Sequence, residues 1–410
     1  KPCEIPKSLK IEIIWRKARM TDSQQMYRTL ITSFCTHIAR SIFGDVRRLK
    51  VLAWAVIGLC LTKTANFNHW GEVVIDNAQY ASSRQRRFQR WLKNKRVRPI
   101  KFYAPLLLAA LDTWDLDEIM YLAIDTSDLH NGYILIRLSL IYRGRAIPVT
   151  WRVIKHNSTS VSYKDYKGIL AQAALILPKG QRIVLLADRG FVHAGLVKFA
   201  RKHHWGYRLR AKSNTRVRLS DRRHVSMAQL CPPKGHVHFY QGVYILGEHI
   251  GPVNIAVAHP ETEKEEPWYI ITDAPADLTT LDDYALRFDI EENFLDDKSN
   301  GFQVESTRLG DAKAIARLFL VLAVATLHFT SVGVGVVKRK TRRWVDTHWD
   351  RGMTYLKIGW KWLRQQFRRR WAILLPFGLD PGPDPEPACA SRRQAAQPKR
   401  KWVVACFGLP

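Results

Sequence analysis

Four polar residues between Tyr284 and Lys298 stand at spacings that could do chemistry together. Tyr284, Arg287, Glu291 and Lys298 sit at offsets of 0, 3, 7 and 14 in Y-A-L-R-F-D-I-E-E-N-F-L-D-D-K. The stretch lacks Gly and Pro and reads as a helix. At 3.6 residues per turn these positions fall on one narrow stripe. One face then carries a phenol, a guanidinium, a carboxylate and an ammonium, which could hold a metal ion and grip phosphates. The same pattern also fits a solvated face laced by i,i+3 and i,i+4 ion pairs.

Two aspartates upstream suit the same chemistry. Asp125 follows the apolar run Y-L-A-I, and Asp188 follows R-I-V-L-L-A. Each reads as the end of a buried strand. In an α/β sheet, residues at the carboxyl ends of strands face the crevice where ligands bind. If the two strands are neighbours, both carboxylates reach one place, and Glu291 joins them from the helix alongside. Crowded carboxylates repel one another unless a cation joins them. Two Mg²⁺ ions meet that need and suit in-line attack at phosphorus. Taken singly, each aspartate also fits an ordinary strand-end acid or helix N-cap. Asp128 is a rival for the first position, and Glu292, Asp296 and Asp297 lie near Glu291. A helix turns Glu292 about 100° away from Glu291. Asp125, unlike Asp128, ends the apolar run.

The spacing Tyr, two residues, Arg, three residues, Glu, six residues, Lys resembles the signature of DDE transposases of the insertion-sequence-four type, matched at all four positions. A-I-D-T at 123–126 and A-D-R-G-F at 187–191 resemble the first and second acid motifs of that family, with intervals of 63 and 103 residues between the acids. G-F-Q-V-E-S-T-R at 301–308 and L-K-I-G-W at 356–360 are also similar, so the resemblance spans roughly 115–375. It implies a catalytic triad of Asp125, Asp188 and Glu291 holding two Mg²⁺ ions, with Mn²⁺ as a substitute. It implies that Tyr284, Arg287 and Lys298 bind DNA phosphates. The activity implied is cleavage of double-stranded DNA at terminal inverted repeats and joining of 3′ ends to target DNA. A hairpin intermediate and a homodimer that pairs two ends are implied as well. Trp268, in P-W-Y-I-I-T, matches a Trp in a Trp-apolar-apolar-apolar-Thr strand of hairpin-forming members. Its implied role is to stack on a base turned out of the tight hairpin. A Trp in an apolar strand equally fits core packing. The rival functions are another ribonuclease H-like nuclease and a catalytically silent, domesticated transposase that only binds DNA.

The elements that must position these residues form a recognisable order. Three strands (121–125, 133–142, 146–154), a helix (162–177), a strand ending at Asp188, a helix (193–204) and a strand (207–212) are expected. That is the order of an α/β ribonuclease H-like core, by analogy of fold. Short strands and turns over 213–267 predict a β-rich insertion. The core resumes over 268–335, followed by a basic helical C-terminal region at 336–380 and a Pro-, Ala- and Arg-rich tail at 381–410 expected to be disordered. Residues 1–115 read as a helical N-terminal DNA-binding region. Ser82-Ser83 is expected to cap its third helix, where Phe88, Trp91 and Leu92 can anchor one face. Arg84, Arg86, Arg87, Arg90 and Lys93 cover the rest with no acid among them. A phosphate-contacting helix explains that bias, and a plain surface helix is the alternative.

Composition agrees with a polyanionic partner. The net charge of +29 on 410 residues is no packing device. The six cysteines form no CxxC pair, which argues against a zinc site or disulfide framework. No signal peptide is visible, and a reducing bacterial cytoplasm, at the nucleoid, is the expected location. Leu318–Val337 has no Asp, Glu, Lys or Arg over 20 residues and basic residues after it. That length could span a bilayer. Its Thr, Ser, His and Gly content favours a buried core helix, with Gly-Val-Gly expected to break its end, so no membrane partner is expected.

Overall fold

The apolar run before Asp125 becomes strand β1 (Ile119–Asp128) in a computed structural model, which describes residues 22–75, 78–156, 158–245, 250–262, 265–298, 301–347, 353–369, 377–386 and 402–404. The chain divides into two compact units. A helical unit comprises 1–112, 297–347 and 355–380, and a sheet unit comprises 113–296, 348–354 and 381–410. The expected core segment 268–335 therefore contributes to both, with the division falling between Asp296 and Asp297.

In the helical unit, α1 (Asp22–His37), α2 (Arg40–Phe43), α3 (Arg47–Thr62), α4 (Phe67–Val73), α5 (Ala81–Lys93) and α6 (Pro99–Ala110) follow in sequence. The basic helix α5 buries Phe88, Trp91 and Leu92, as its i, i+3, i+4 spacing requires. Its N-cap is Tyr80, without a side-chain bond, so Ser82 and Ser83 lie inside the first turn instead of capping it.

The sheet unit is built on β1, which pairs antiparallel with β2 (Tyr133–Tyr142), itself antiparallel to β3 (Arg145–Lys155). Arg143 and Gly144 make the two-residue turn between them, at φ 48° and 73°, the doubly positive pair that matches the strands' twist. Helix α7 (Tyr163–Ile176) starts at a Ser162–Asp165 capping box and returns the chain to β4 (Arg182–Ala187), parallel to β1. Helix α8 (Ala194–Lys202) leads to β5 (Gly206–Arg210), parallel to β4. The order β3-β2-β1-β4-β5 is the mixed sheet of a ribonuclease H-like fold.

The insertion extends that sheet. Strands β6 (Arg216–Arg218), β7 (His224–Ser226), β8 (His236–Ile245) and β9 (Ile250–Ala258) lead to β10 (Trp268–Thr272), and β10 joins β9 to β5 by antiparallel pairing. The stretch from Tyr284 to Lys298 is not one helix. It divides into α9 (Leu278–Ala285) and α10 (Phe288–Asp297). At the break, the amides of Leu286, Arg287, Asp289 and Ile290 each bond the carbonyl three residues back, a tighter winding than the α-helix.

The long apolar run is α11 (Ala312–Lys338) in the helical unit, and 94% of its most apolar stretch is buried inside the protein. It is a core helix. It runs straight through Gly333 and Gly335, so the expected break does not occur. The reason is close packing against α12 (Tyr355–Arg369). A Cβ on Gly333 would collide with the carbonyl of Tyr355, and one on Gly359 with that of Phe329. This contact outweighs the ~1 kcal/mol that a helical Gly costs. Buried Arg317 of α11 donates to the carbonyls of Leu92 and Val97, both at 3.0 Å, and so ties down the end of α5. In the tail expected to be disordered, Val403–Val404 form strand β11, parallel to β8. The segments 387–401 and 405–410, like 1–21, lie outside the described residues.

Candidate active site

Register puts the two aspartates side by side. Ile124 pairs with Ala187 in the parallel β1–β4 ladder, and the next residues are Asp125 and Asp188. Strand β1 does not stop at Asp125; it continues to Asp128 along β2. What ends at this level is β4, so Asp125 marks where β1 outruns its parallel neighbour. Asp128 lies an odd number of residues further on, hence on the opposite face, and is exposed.

Tyr284 and Arg287 join these acids to Glu291. Arg287 is 3% exposed. Its Nη1 donates to Asp125 Oδ2 at 3.1 Å, its Nη2 to Glu291 Oε1 at 2.6 Å and its Nε to the Tyr284 hydroxyl at 3.2 Å. That hydroxyl donates to Asp188 Oδ1 at 3.4 Å. One guanidinium thus reaches two acids directly and the third through a phenol. The break in the helix leaves this contact intact, because Tyr284, Arg287 and Glu291 remain one turn apart in sequence. Lys298 is different. It follows the end of α10, belongs to the helical unit and stands 3.6 Å from Glu305. Glu292 and Asp296 are both bound to Arg145, at 3.4 and 2.9 Å, which leaves Glu291 as the acid of α10 facing Arg287.

The electrostatics record the crowding. Burial pushes Asp125 up to about 6; Arg287 and the Thr126 amide oppose the rise, while Glu291 and Asp188 add to it. Burial also pushes the Tyr284 phenol up to about 12. For Arg287, burial works against the charge, yet Tyr284, Asp125 and Glu291 hold it above its ordinary value. Among the described residues, no three His, Cys, Asp or Glu side chains are gathered ready to hold a metal ion. The donor set nevertheless fits one in kind. Three carboxylates are the hard oxygen ligands that Mg²⁺ takes, and a guanidinium already supplies part of the positive charge they call for.

Residues that sequence reasoning missed hold this arrangement. Arg208 Nε donates to Asp283 Oδ2 at 3.1 Å, its Nη1 to Thr272 Oγ1 at 2.9 Å, and the Tyr121 hydroxyl donates to Asp283 Oδ1 at 2.6 Å. Asp283 precedes Tyr284, so this network fixes α9 on the sheet. Arg137, paired with Asp125 across β1–β2, donates to Asn293 Oδ1 at 2.6 Å and lies 4.3 Å from the Phe294 ring centroid. It fixes α10. The available signal was a lone Arg inside the apolar strand Y-I-L-I-R-L-S-L-I-Y, since a buried cation must find partners.

Trp268 is 7% exposed and packs edge-on against Tyr284, with centroids 5.4 Å apart. It belongs to the hydrophobic core, and one part of it lines a cavity of about 890 Å³ beside Arg210, Phe288 and Trp402. Phe288 is 37% exposed there. Trp402, from the tail, was not anticipated. In α5 of the helical unit, Arg86, Arg90 and Lys93 are exposed. Arg84 instead donates to the Ala78 carbonyl at 2.9 Å, and Arg87 is half-buried.

The mixed sheet sets Asp125 and Asp188 level with each other on adjacent parallel strands. Residues 135–327 match the family model described as "Transposase DDE domain", and the class this match supports is a DDE transposase. The matched span contains Asp188, Tyr284, Arg287 and Glu291, and Asp125 lies just before it. Among solved structures, the chain is similar to a piggyBac transposase in a synaptic complex with hairpin DNA. That likeness is 12% in identity, covers 86% of this chain and 82% of that one, and has a TM-score of 0.41. No curated protein matches the chain.

The raised Asp125 has a consequence for stability. Its folded value of about 6 exceeds the ordinary 3.8, so the folded state holds this proton more tightly than the unfolded chain does. The stability from that proton is complete below pH 3.8 and is lost as pH rises through 6. In metal-free buffer, Asp125→Asn is therefore expected to exceed the native protein in stability at high pH, by on the order of 1–3 kcal/mol. The gap should close in acid. Denaturant titrations at the two pH values check this, and an equal gap at both refutes it.

Proposed function

We propose that the protein is a DNA transposase of the insertion-sequence-four type, cutting an element at its terminal inverted repeats and joining the 3′ ends to target DNA. The observation that carries this reading is the convergence of Asp125, Asp188 and Glu291 on one guanidinium, in a chain whose 135–327 segment matches a transposase DDE domain. Asp125, Asp188 and Glu291 would hold Mg²⁺, or Mn²⁺ in its place. When bound, two such ions supply the Lewis acidity for in-line attack at phosphorus by water or a 3′-hydroxyl. The protein's own residues hold and orient the DNA. Tyr284 and Arg287 of the sheet unit grip phosphates, and Lys298 and the exposed Arg86, Arg90 and Lys93 of the helical unit are further phosphate contacts. The net charge of +29 supports an extended phosphate-binding surface.

Excision through a hairpin extends the reading. A hairpin turns a base out of the stack, and the cavity beside Trp268, Phe288 and Trp402 has the size and aromatic walls to receive one. Two element ends are brought together by a homodimer acting at the nucleoid in the cytoplasm. One observation favours a rival reading: with Arg287 packed among the acids, the chain could be a catalytically silent DNA-binding descendant. The first experiment below separates the two.

Duplex DNA bearing the element's inverted repeats, incubated with Mg²⁺ and with EDTA, should be nicked only in the first case. Asp188→Asn should abolish nicking while binding the same DNA with near-native affinity; nicking at the native rate by this variant removes the triad assignment. Replacing Arg86, Arg90 and Lys93 by Ala should reduce the slope of log affinity against log salt by about 3. An unchanged slope makes α5 a plain surface helix. Trp268→Ala should nick normally but form hairpins roughly tenfold more slowly, given ~1–3 kcal/mol per stacked base, with Phe restoring the rate. Equal losses at every step, or an unfolded variant, make Trp268 a core residue only.

A further inference from the structure

The three acids have a counter-charge built into the chain. We propose that Arg287 is an exchangeable cation. In the DNA-free protein its guanidinium bonds Asp125 and Glu291 directly and Asp188 through Tyr284, offsets part of their charge and keeps divalent metal out. When DNA arrives, Arg287 moves to a phosphate, and metal and DNA then load together. This rests on the metal-site reading above and adds a mode of regulation to it.

Four observations support the exchange. First, the guanidinium is committed: bonds of 3.1 and 2.6 Å to two acids and 3.2 Å to the phenol that bonds the third use all of its nitrogens. A divalent ion entering this group would meet a buried positive charge at contact range. Secondly, Arg287 cannot simply be displaced, because at 3% exposure a guanidinium stripped of its partners is a severe cost. Its departure must coincide with the arrival of another anion. Thirdly, a guanidinium fork fits phosphate as well as carboxylate, so a backbone phosphate is a competent replacement. Fourthly, the geometry allows movement. Arg287 sits at the break between α9 and α10, where the α-helical ladder is interrupted. Its neighbours on the open side are accessible, the Glu291 side chain at 52% and Phe288 at 37%.

The exchange makes metal and DNA affinities reciprocal. Whatever factor DNA adds to metal binding, metal must add to DNA binding. A site whose acids stood free would show little of this coupling through Arg287.

The test measures Mn²⁺ binding to the full chain by the paramagnetic resonance of the free ion, with and without a short DNA duplex, corrected for Mn²⁺ bound by the duplex alone. Native protein should bind Mn²⁺ weakly without DNA and about tenfold more tightly with it. Arg287→Gln should bind Mn²⁺ about tenfold more tightly than native protein without DNA, and DNA should add little further. Arg287→Lys keeps the charge but loses the fork, so it should also bind more tightly than native protein; if it equals native protein, simple repulsion suffices and the exchange is overturned. Equal DNA-free affinities for native protein and Arg287→Gln, with both folded by circular dichroism, likewise overturn it. If Arg287→Gln does not fold, the native protein alone decides: no gain in Mn²⁺ affinity on adding DNA defeats the proposal. Asp188→Asn separates the two ideas. Where it weakens Mn²⁺ binding, the metal site stands whatever Arg287 does; where it has no effect, the metal-site reading itself fails.

Discussion

Carboxylates brought together in a half-buried place repel one another, and much of the polar architecture of the sheet unit answers that repulsion. The parallel register of β1 and β4 brings Asp125 and Asp188 level with each other. Arg287, with Tyr284, supplies the positive charge and the hydrogen bonds that make the arrangement tolerable. The compensation is incomplete, since Asp125 is still pushed up to about 6, with burial as the main cause. Burial raises Asp125 further than the nearby guanidinium lowers it.

Holding Arg287 in place requires the helices on either side of it to be fixed on the sheet. Arginines rooted in strands do this. Arg208 of β5 holds α9 through Asp283, Arg137 of β2 holds α10 through Asn293, and Arg145 of β3 holds α10 through Glu292 and Asp296. Arg137 and Arg208 are buried, and Arg145 is partly so. The planar fork of a guanidinium makes each of these contacts directional.

The helical unit follows different physics. Its centre is a helix buried along almost its whole length, and glycines on α11 and α12 let the two backbones approach closely. Arg317 links that core to the end of the basic helix α5. The apolar anchors Phe88, Trp91 and Leu92 face inward, so the charges of α5 are displayed on a fixed scaffold and not on a mobile arm.

Much of the sheet unit was legible from periodicity alone. The bounds of β2, the short apolar strand before Asp188 and the cap of α7 at Ser162 are local matters, set by side-chain alternation and turn chemistry over a few residues. The amino-acid sequence also determined which acids and which arginine would be candidates, because residue type and spacing carry that information. Tertiary structure decided the rest. It broke the expected helix at Leu286–Arg287, where helix-forming residues accept a tighter winding while the Arg287 side chain bonds the acids. It carried α11 through Gly333, because a neighbouring backbone fills the place of a side chain there. It brought Trp402 from the tail to the cavity beside Trp268, and it set Lys298 in a different unit from Glu291. Each of these depends on contacts between residues far apart in the chain, and no local spacing encodes them.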